Sequence, residues 1–350
     1  MNLSALVHIP HGLIRRHLPR VERGLTAAGL AGLVYLLVSS LPAYPPFWDG
    51  VIVAVVFLTT FTSPFVGFSL AALAAFYPIS TLSIYLAVIF IAIAILAMRP
   101  ISQNLGATVL VMSAPLLGGY SLGWVIPLLG GLWWGAAGGS WVGALAALWG
   151  MVAAGMAGLN PDWLMSFGHF PSSTAIVERF ANTNSLDTLG LLVFPLASDT
   201  TVLLYHLLQI ALWGVVGTFV GSLNDRPTVQ NRRPWGGALI TIAGGFTLLG
   251  IHLILAFWLR QPVVSAPEYA MWVLAAATAG IIAAALEMLQ DFFEHPLPRL
   301  GWKKPRTGGA AASEQVSGPQ PVPPPASYPP LEKEKDKNVQ DLILLELDED

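Results

Sequence analysis

The chain is 350 residues long, 55% hydrophobic and only 11% charged, with a formal net charge of −3 and no cysteine. Soluble domains carry charge at about a quarter of their positions, so this composition excludes an ordinary water-soluble fold of this size. The lack of cysteine excludes disulfides, thiolate-held metal or iron–sulfur centres and thiol catalysis, and no basic patch interleaved with aromatics points to nucleic acid.

Residues 1–24 form a basic segment. Arg15, Arg16, Arg20 and Arg23 accompany Leu3, Leu6, Val7, Leu13, Ile14 and Leu18 at roughly helical spacing. They read as a short interfacial helix or as a positive flank that fixes orientation. The run 25–41 follows. Ser39, Ser40 and Ala43 offer small residues for signal cleavage, but the leading region is long and many apolar runs come after it, so it reads as a first transmembrane helix. From Gly50 to Met98 there is no Asp, Glu, Lys or Arg. That length predicts two spans, 51–75 and 80–98, with a turn at Pro78 and Ser80 and a kink at Pro64. Pro100 to Pro161 is likewise uncharged and predicts two helices within 107–158, as two plain spans or as a re-entrant element. Their turn is expected near Gly130 to Gly139, where Trp133 and Trp134 sit together as aromatics do at an interface. Residues 159–200, with Asp162, His169, Glu178, Arg179, Asp187 and Asp199, read as an external loop, and spans at 202–222, 236–258 and 270–288 follow.

The fold class is therefore an all-α polytopic transmembrane bundle of about eight helices, spanning 25–288, with both termini cytoplasmic. The N-terminal arginines, the loop with Arg226, Arg232 and Arg233, and the juxtamembrane segment 289–306 with Arg299, Lys303, Lys304 and Arg306 then share one face, and Arg99 alone dissents. Residues 307–338 read as a disordered Pro-rich linker. The terminal segment 339–350 sets Leu342, Ile343, Leu345 and Leu347 among acids. These four are candidate anchors for a cytoplasmic protein partner, or for folding back on the chain's own surface.

Gly131, Gly135, Gly139, Gly143 and Ala147 recur every four residues, with Gly214, Gly217 and Gly221 as a looser set. Small residues at this spacing let helix backbones approach, so tight packing is the preferred reading over a solute path. The run Pro127-Leu-Leu-Gly-Gly-Leu-Trp-Trp-Gly135, continuing through Gly139, Gly143 and Ala147, resembles the glycine-spaced hairpin of the substrate-binding subunits of energy-coupling-factor vitamin transporters. The resemblance implies a small integral subunit that binds a vitamin and docks on a separate energising module. This chain departs from that pattern in two extra predicted helices, a long outer loop and a tail.

His206, His252 and Glu287 are the ionisable groups within predicted spans and form a candidate intramembrane polar site. Each also has a structural reading: a histidine near the headgroups, a hydrogen-bonded core histidine, and, with Asp291 and Glu294, an interfacial ion-pairing stripe. His295 alone of the seven histidines has a carboxylate four residues before it, and His8, His11 and His17 lie beside arginines, so no metal site is expected. Neither a GxxxxGK[ST] loop nor an HExxH motif occurs. Gly119, Ser121 and Gly123 spell GxSxG, but within a predicted helix rather than a strand-to-helix turn, so chance is preferred over a Ser121–His pair. The sequence thus points to a non-enzymatic cell-membrane protein without a cofactor. It reads as a transporter or transporter subunit lacking its own ATPase, and otherwise as a scaffold recruiting a partner through its tail.

Overall fold

Proline decides where the first long apolar stretch breaks. In the computed structural model the residues described are 11, 14–41, 43–159, 173–181, 183–230, 235–259 and 266–294, all within the compact unit Met1–Pro298. Every regular element among them is a helix. The first four are α1 (Leu18–Ser40), α2 (Trp48–Thr62), α3 (Pro64–Leu82) and α4 (Ile84–Gln103). The helix expected over 51–75 with a kink is instead two helices. Ser63 between them is extended at φ −143°, ψ 108°, because the ring of Pro64 disfavours helical geometry in the residue before it. Pro64 then opens α3, where its missing N–H has no intrahelical partner to lose.

The turn expected at Pro78 and Ser80 is not there, since both lie inside α3, and the chain turns at the extended Ser83. Pro78 cannot donate to the carbonyl four residues earlier, Ala74. The hydroxyl of Tyr44, in the α1–α2 connection, donates to that carbonyl at 2.9 Å and keeps the helix intact. Burial, and then the neighbouring Tyr77, hold the Tyr44 phenol above its ordinary pKa, so it stays a donor. Tyr44→Phe should therefore lower stability by about 1 kcal/mol, read as a drop in melting temperature of the purified protein. An unchanged melt would show that the Ala74 carbonyl needs no partner.

These helices alternate in direction. Gly24, near the start of α1, faces Phe61 near the end of α2, and Ser69 early in α3 lies 3.7 Å from Met98 late in α4. Next come α5 (Leu105–Met112), α6 (Ala114–Gly119) and α7 (Val125–Ala157). The loop expected over 159–200 carries α8 (Ser173–Phe180) and α9 (Ser185–Val193) among its described residues. The short α11 (Pro227–Gln230) links α10 (Thr200–Asn224) to α12 (Trp235–Trp258), and α13 (Ala266–Glu294) ends the described chain. Asp199 starts α10 by accepting from the N–H groups of Thr201 and Val202 at 2.8 and 3.0 Å. His11 reaches the end of α13, with Nε2 2.7 Å from the carbonyl oxygen of Phe292.

Among the described residues six helices are long and apolar enough to cross a membrane: α1, α3, α7, α10, α12 and residues 269–293 of α13, while α2 and the apolar part of α4 are shorter. Their outward faces carry large apolar side chains such as Leu58, Leu96, Ile254 and Phe257 in the open. A surface of that kind is stable in lipid, not in water. The larger core lies among α5, α6, α7, α10, α12 and α13, and a smaller one joins α1, α2, α3 and the start of α5.

Candidate functional site

At the middle of the larger core the chain doubles back twice. Gly106, near the start of α5, faces Thr26 of α1 and the Trp134 ring, which places it at the same end of the bundle as Gly135. From there α5 and α6 run inward, interrupted at Ser113, where Pro115 removes the N–H that would have bonded Val111. The indole N–H of Trp149 donates to the Met112 carbonyl beside this break at 3.2 Å. After a bend over Tyr120 to Trp124, residues 125–134 of α7 return to the starting end.

There Gly135, at φ 66° and ψ −168°, reverses the chain, and residues 136–157 leave in the opposite direction. The returning arm is about 15 Å long and the outgoing one about 33 Å, so the bend at 120–124 sits well short of the far end. The arm is buried on all sides, from Val125 through Leu132, as a helix apolar all round must be. Asn224 supplies the hydrogen bond its broken C-terminus lacks, donating from Nδ2 to the Leu132 carbonyl at 3.3 Å.

The bend carries the polar chemistry. Ser121 stands at φ 60°, a left-handed conformation uncommon outside glycine; it is 2% exposed, and its Oγ has no hydrogen-bond partner. Trp124, the residue that opens the arm, is fully buried with its Nε1 unpartnered. Its ring lies 5.6 Å, centroid to centroid, from that of His252 on α12, tilted by 48°. His252 is itself fully buried. Its Nδ1 lies 2.8 Å from the Leu248 carbonyl. A carbonyl only accepts, so Nδ1 holds the proton and Nε2 is left as a bare acceptor. That Nε2 has no partner. Buried polar atoms are normally hydrogen-bonded, and unpaired ones cost about 1–3 kcal/mol each. Three gathered at one bend mark it as more than packing.

The glycines expected as packing residues occupy both sides of the Gly135 reversal. A Cβ on Gly131 would lie 2.5 Å from the Gly217 carbonyl oxygen, and one on Gly139 would lie 2.5 Å from that same oxygen. Gly143 faces the Trp213 carbonyl, Gly221 faces the backbone of Gly135 and Ala136, and Gly214 faces the Ser140 carbonyl. Ala147 is fully buried further along. One stripe of α10 thus clasps both arms, and only glycine lets three backbones meet there. On α12, Gly244 and Gly245 receive the Leu128 side chain from the returning arm.

The polar residues expected in spans are not all brought together. His206 is buried near the start of α10, with Nδ1 3.0 Å from the Leu196 carbonyl, which fixes the preceding loop. Glu287 is buried over Gly237, at the Gly135 end. His252 alone belongs to the bend. Sequence reading passed over Trp124, which in an uncharged run looks like any lipid-facing aromatic. It also set aside Ser121, whose GxSxG letters sit on a strained bend instead of in the expected helix. Among the described residues no group of His, Asp and Glu is disposed to hold a metal ion. Leu342, Ile343, Leu345 and Leu347, and the basic cluster after residue 294, lie outside the described residues.

These features define a membrane-embedded, all-helical protein built around a doubled-back central helix. No family model, curated protein or solved structure matches the chain.

Proposed function

We propose that this chain is a transport protein of the cell membrane, or the solute-binding subunit of one, with its site at the Ser121–Trp124–His252 bend. The observation that carries this reading is the set of buried, unpartnered polar atoms at a helix break inside the bundle. Non-helical backbone at membrane depth persists only where it is buried in protein or lines a polar path. Broken helices that place their ends at mid-depth are how many transporters present a solute site. The resemblance of Pro127–Ala147 to vitamin-binding transporter subunits points the same way, and with no ATP-binding loop in the sequence, coupling is passive, ionic or supplied by a partner.

The doubled-back element also accounts for the charges. α1, α2, α3, α4, residues 136–157, α10, α12 and α13 make eight passes, and the 105–134 hairpin enters and leaves by one face. Arg99, near the end of α4, then joins the other arginines on the cytoplasmic side, and both termini are cytoplasmic. Because the chain has no cysteine, single substitutions test this directly. Gln103→Cys should resist an impermeant maleimide in intact cells, while Leu186→Cys should label from outside. Labelling of Gln103→Cys from outside would remove the re-entrant hairpin.

Function is tested by stopped-flow swelling of proteoliposomes in a set of small solutes. Protein-dependent entry of at least one solute, abolished by Ser121→Trp at the bend, is the expected result. A correctly inserted protein that passes none, alone or with co-purified partners, refutes the transport reading.

A further inference from the structure

Trp124 and His252 pack ring against ring, and each carries a buried polar atom without a partner. The indole N–H can only donate and the bare Nε2 can only accept, yet neither is hydrogen-bonded although their rings are 5.6 Å apart. A third group satisfies both only if it accepts from one and donates to the other. We infer that the bend binds an uncharged solute through a group with both a donor and an acceptor, an amide or a hydroxyl, held between Trp124 Nε1 and His252 Nε2. This rests on the transport reading and adds to it the chemical class of the solute.

The alternatives fail on charge and lone pairs. A carboxylate accepts from Trp124 but sets its second oxygen against the lone pair of Nε2, and no Lys or Arg is buried among the described residues. An ammonium donates to Nε2 but offers the indole N–H nothing to bond. Either ion also carries its desolvation cost into the apolar core that holds Trp124, whose buried members include Leu128, Leu248, Leu249 and Ile126. Ser121 Oγ, three residues before Trp124 on the same bend and also unpartnered, both donates and accepts, and so suits an amide or a hydroxyl equally. A water has the same bonding pattern, and the experiment separates it from a solute.

The purified full chain is melted in detergent with acetamide, benzamide or benzyl alcohol, and with the charged analogues of the same frames, acetate, benzoate and benzylammonium. An amide or the alcohol should raise the melting temperature of the wild type by about 2 °C or more near saturation, and the charged analogues should not. Trp124→Phe, which keeps an aromatic ring and removes the N–H, and His252→Leu, which removes the acceptor, should each abolish the shift. Three results overturn the inference: a charged analogue stabilising as well as its amide, a shift that survives Trp124→Phe, or no shift with any of the three neutral probes, which leaves water as the bridging group. Covalent capture of Ser121 by a fluorophosphonate also overturns it, because the bend would then hold a nucleophile. If both variants fail to fold, the amide–carboxylate comparison on the wild type still decides. Swelling and melting fail separately, so a protein that binds amides without passing solutes refutes transport and leaves the site chemistry standing.

Discussion

Gly217→Leu is expected to abolish folding, with a loss of more than about 4 kcal/mol. The Cβ alone would fall within the Gly139 backbone, 3.1 Å from its Cα and closer still to its carbonyl group. Three leucine atoms beyond it have nowhere to go, because Gly131 approaches the same Gly217 oxygen from the other arm. Relief requires separating α10 from both arms of α7, which opens the larger core. In detergent the variant should elute as aggregate without a cooperative melt. Gly32→Ala and Gly250→Ala supply the contrast, since a Cβ at either meets nothing within 4 Å. Both should stay within about 0.5 kcal/mol of the parent. A folded Gly217→Leu protein with the parent's melting temperature would mean that the three backbones do not meet.

The sequence made the later helices plain. The spans expected at 202–222, 236–258 and 270–288 appear as Thr200–Asn224, Trp235–Trp258 and Ala266–Glu294, because each apolar run there is bounded by charged or proline-bearing segments. The first half was less legible. Between Gly50 and Met98 no charge marks an end, and a proline can break a helix or be absorbed by it. Pro64 breaks and Pro78 is absorbed, and the difference lies in Tyr44, more than thirty residues away from Pro78 in sequence, which supplies the bond that Pro78 cannot. The i, i+4 glycines were visible as small residues, yet spacing alone cannot show that Gly131 and Gly139 lie on opposite arms and share one oxygen of Gly217. The bend was hidden for a similar reason. Nothing about Trp124 or Ser121 in an apolar run reveals a partner 128 residues from Trp124, His252, whose free nitrogen follows from its bond to Leu248.

Gly135→Ala should cost about 1–3 kcal/mol through the backbone alone. Its φ of 66° with ψ of −168° lies in a region that is essentially reserved for glycine, whereas space at the site is ample, with only Asp225 Oδ2 at 3.6 Å from an added Cβ. The contrast is Gly158, which ends α7 at φ 74°, ψ 18°, an ordinary left-handed cap that asparagine also adopts. There an added side chain meets the end of the flexible Arg179, which can move aside. Gly158→Asn should therefore lose well under half of what Gly135→Ala loses in thermal melting. Equal losses would mean that the reversal is not set by its dihedral angles. The function should follow the geometry. Gly135 sets the angle between the two arms, and the returning arm carries Trp124 towards His252, so the alanine variant, melted with and without amide, should also show a smaller ligand-induced shift than Gly158→Asn. A full shift in Gly135→Ala would separate the bend's chemistry from the reversal that positions it.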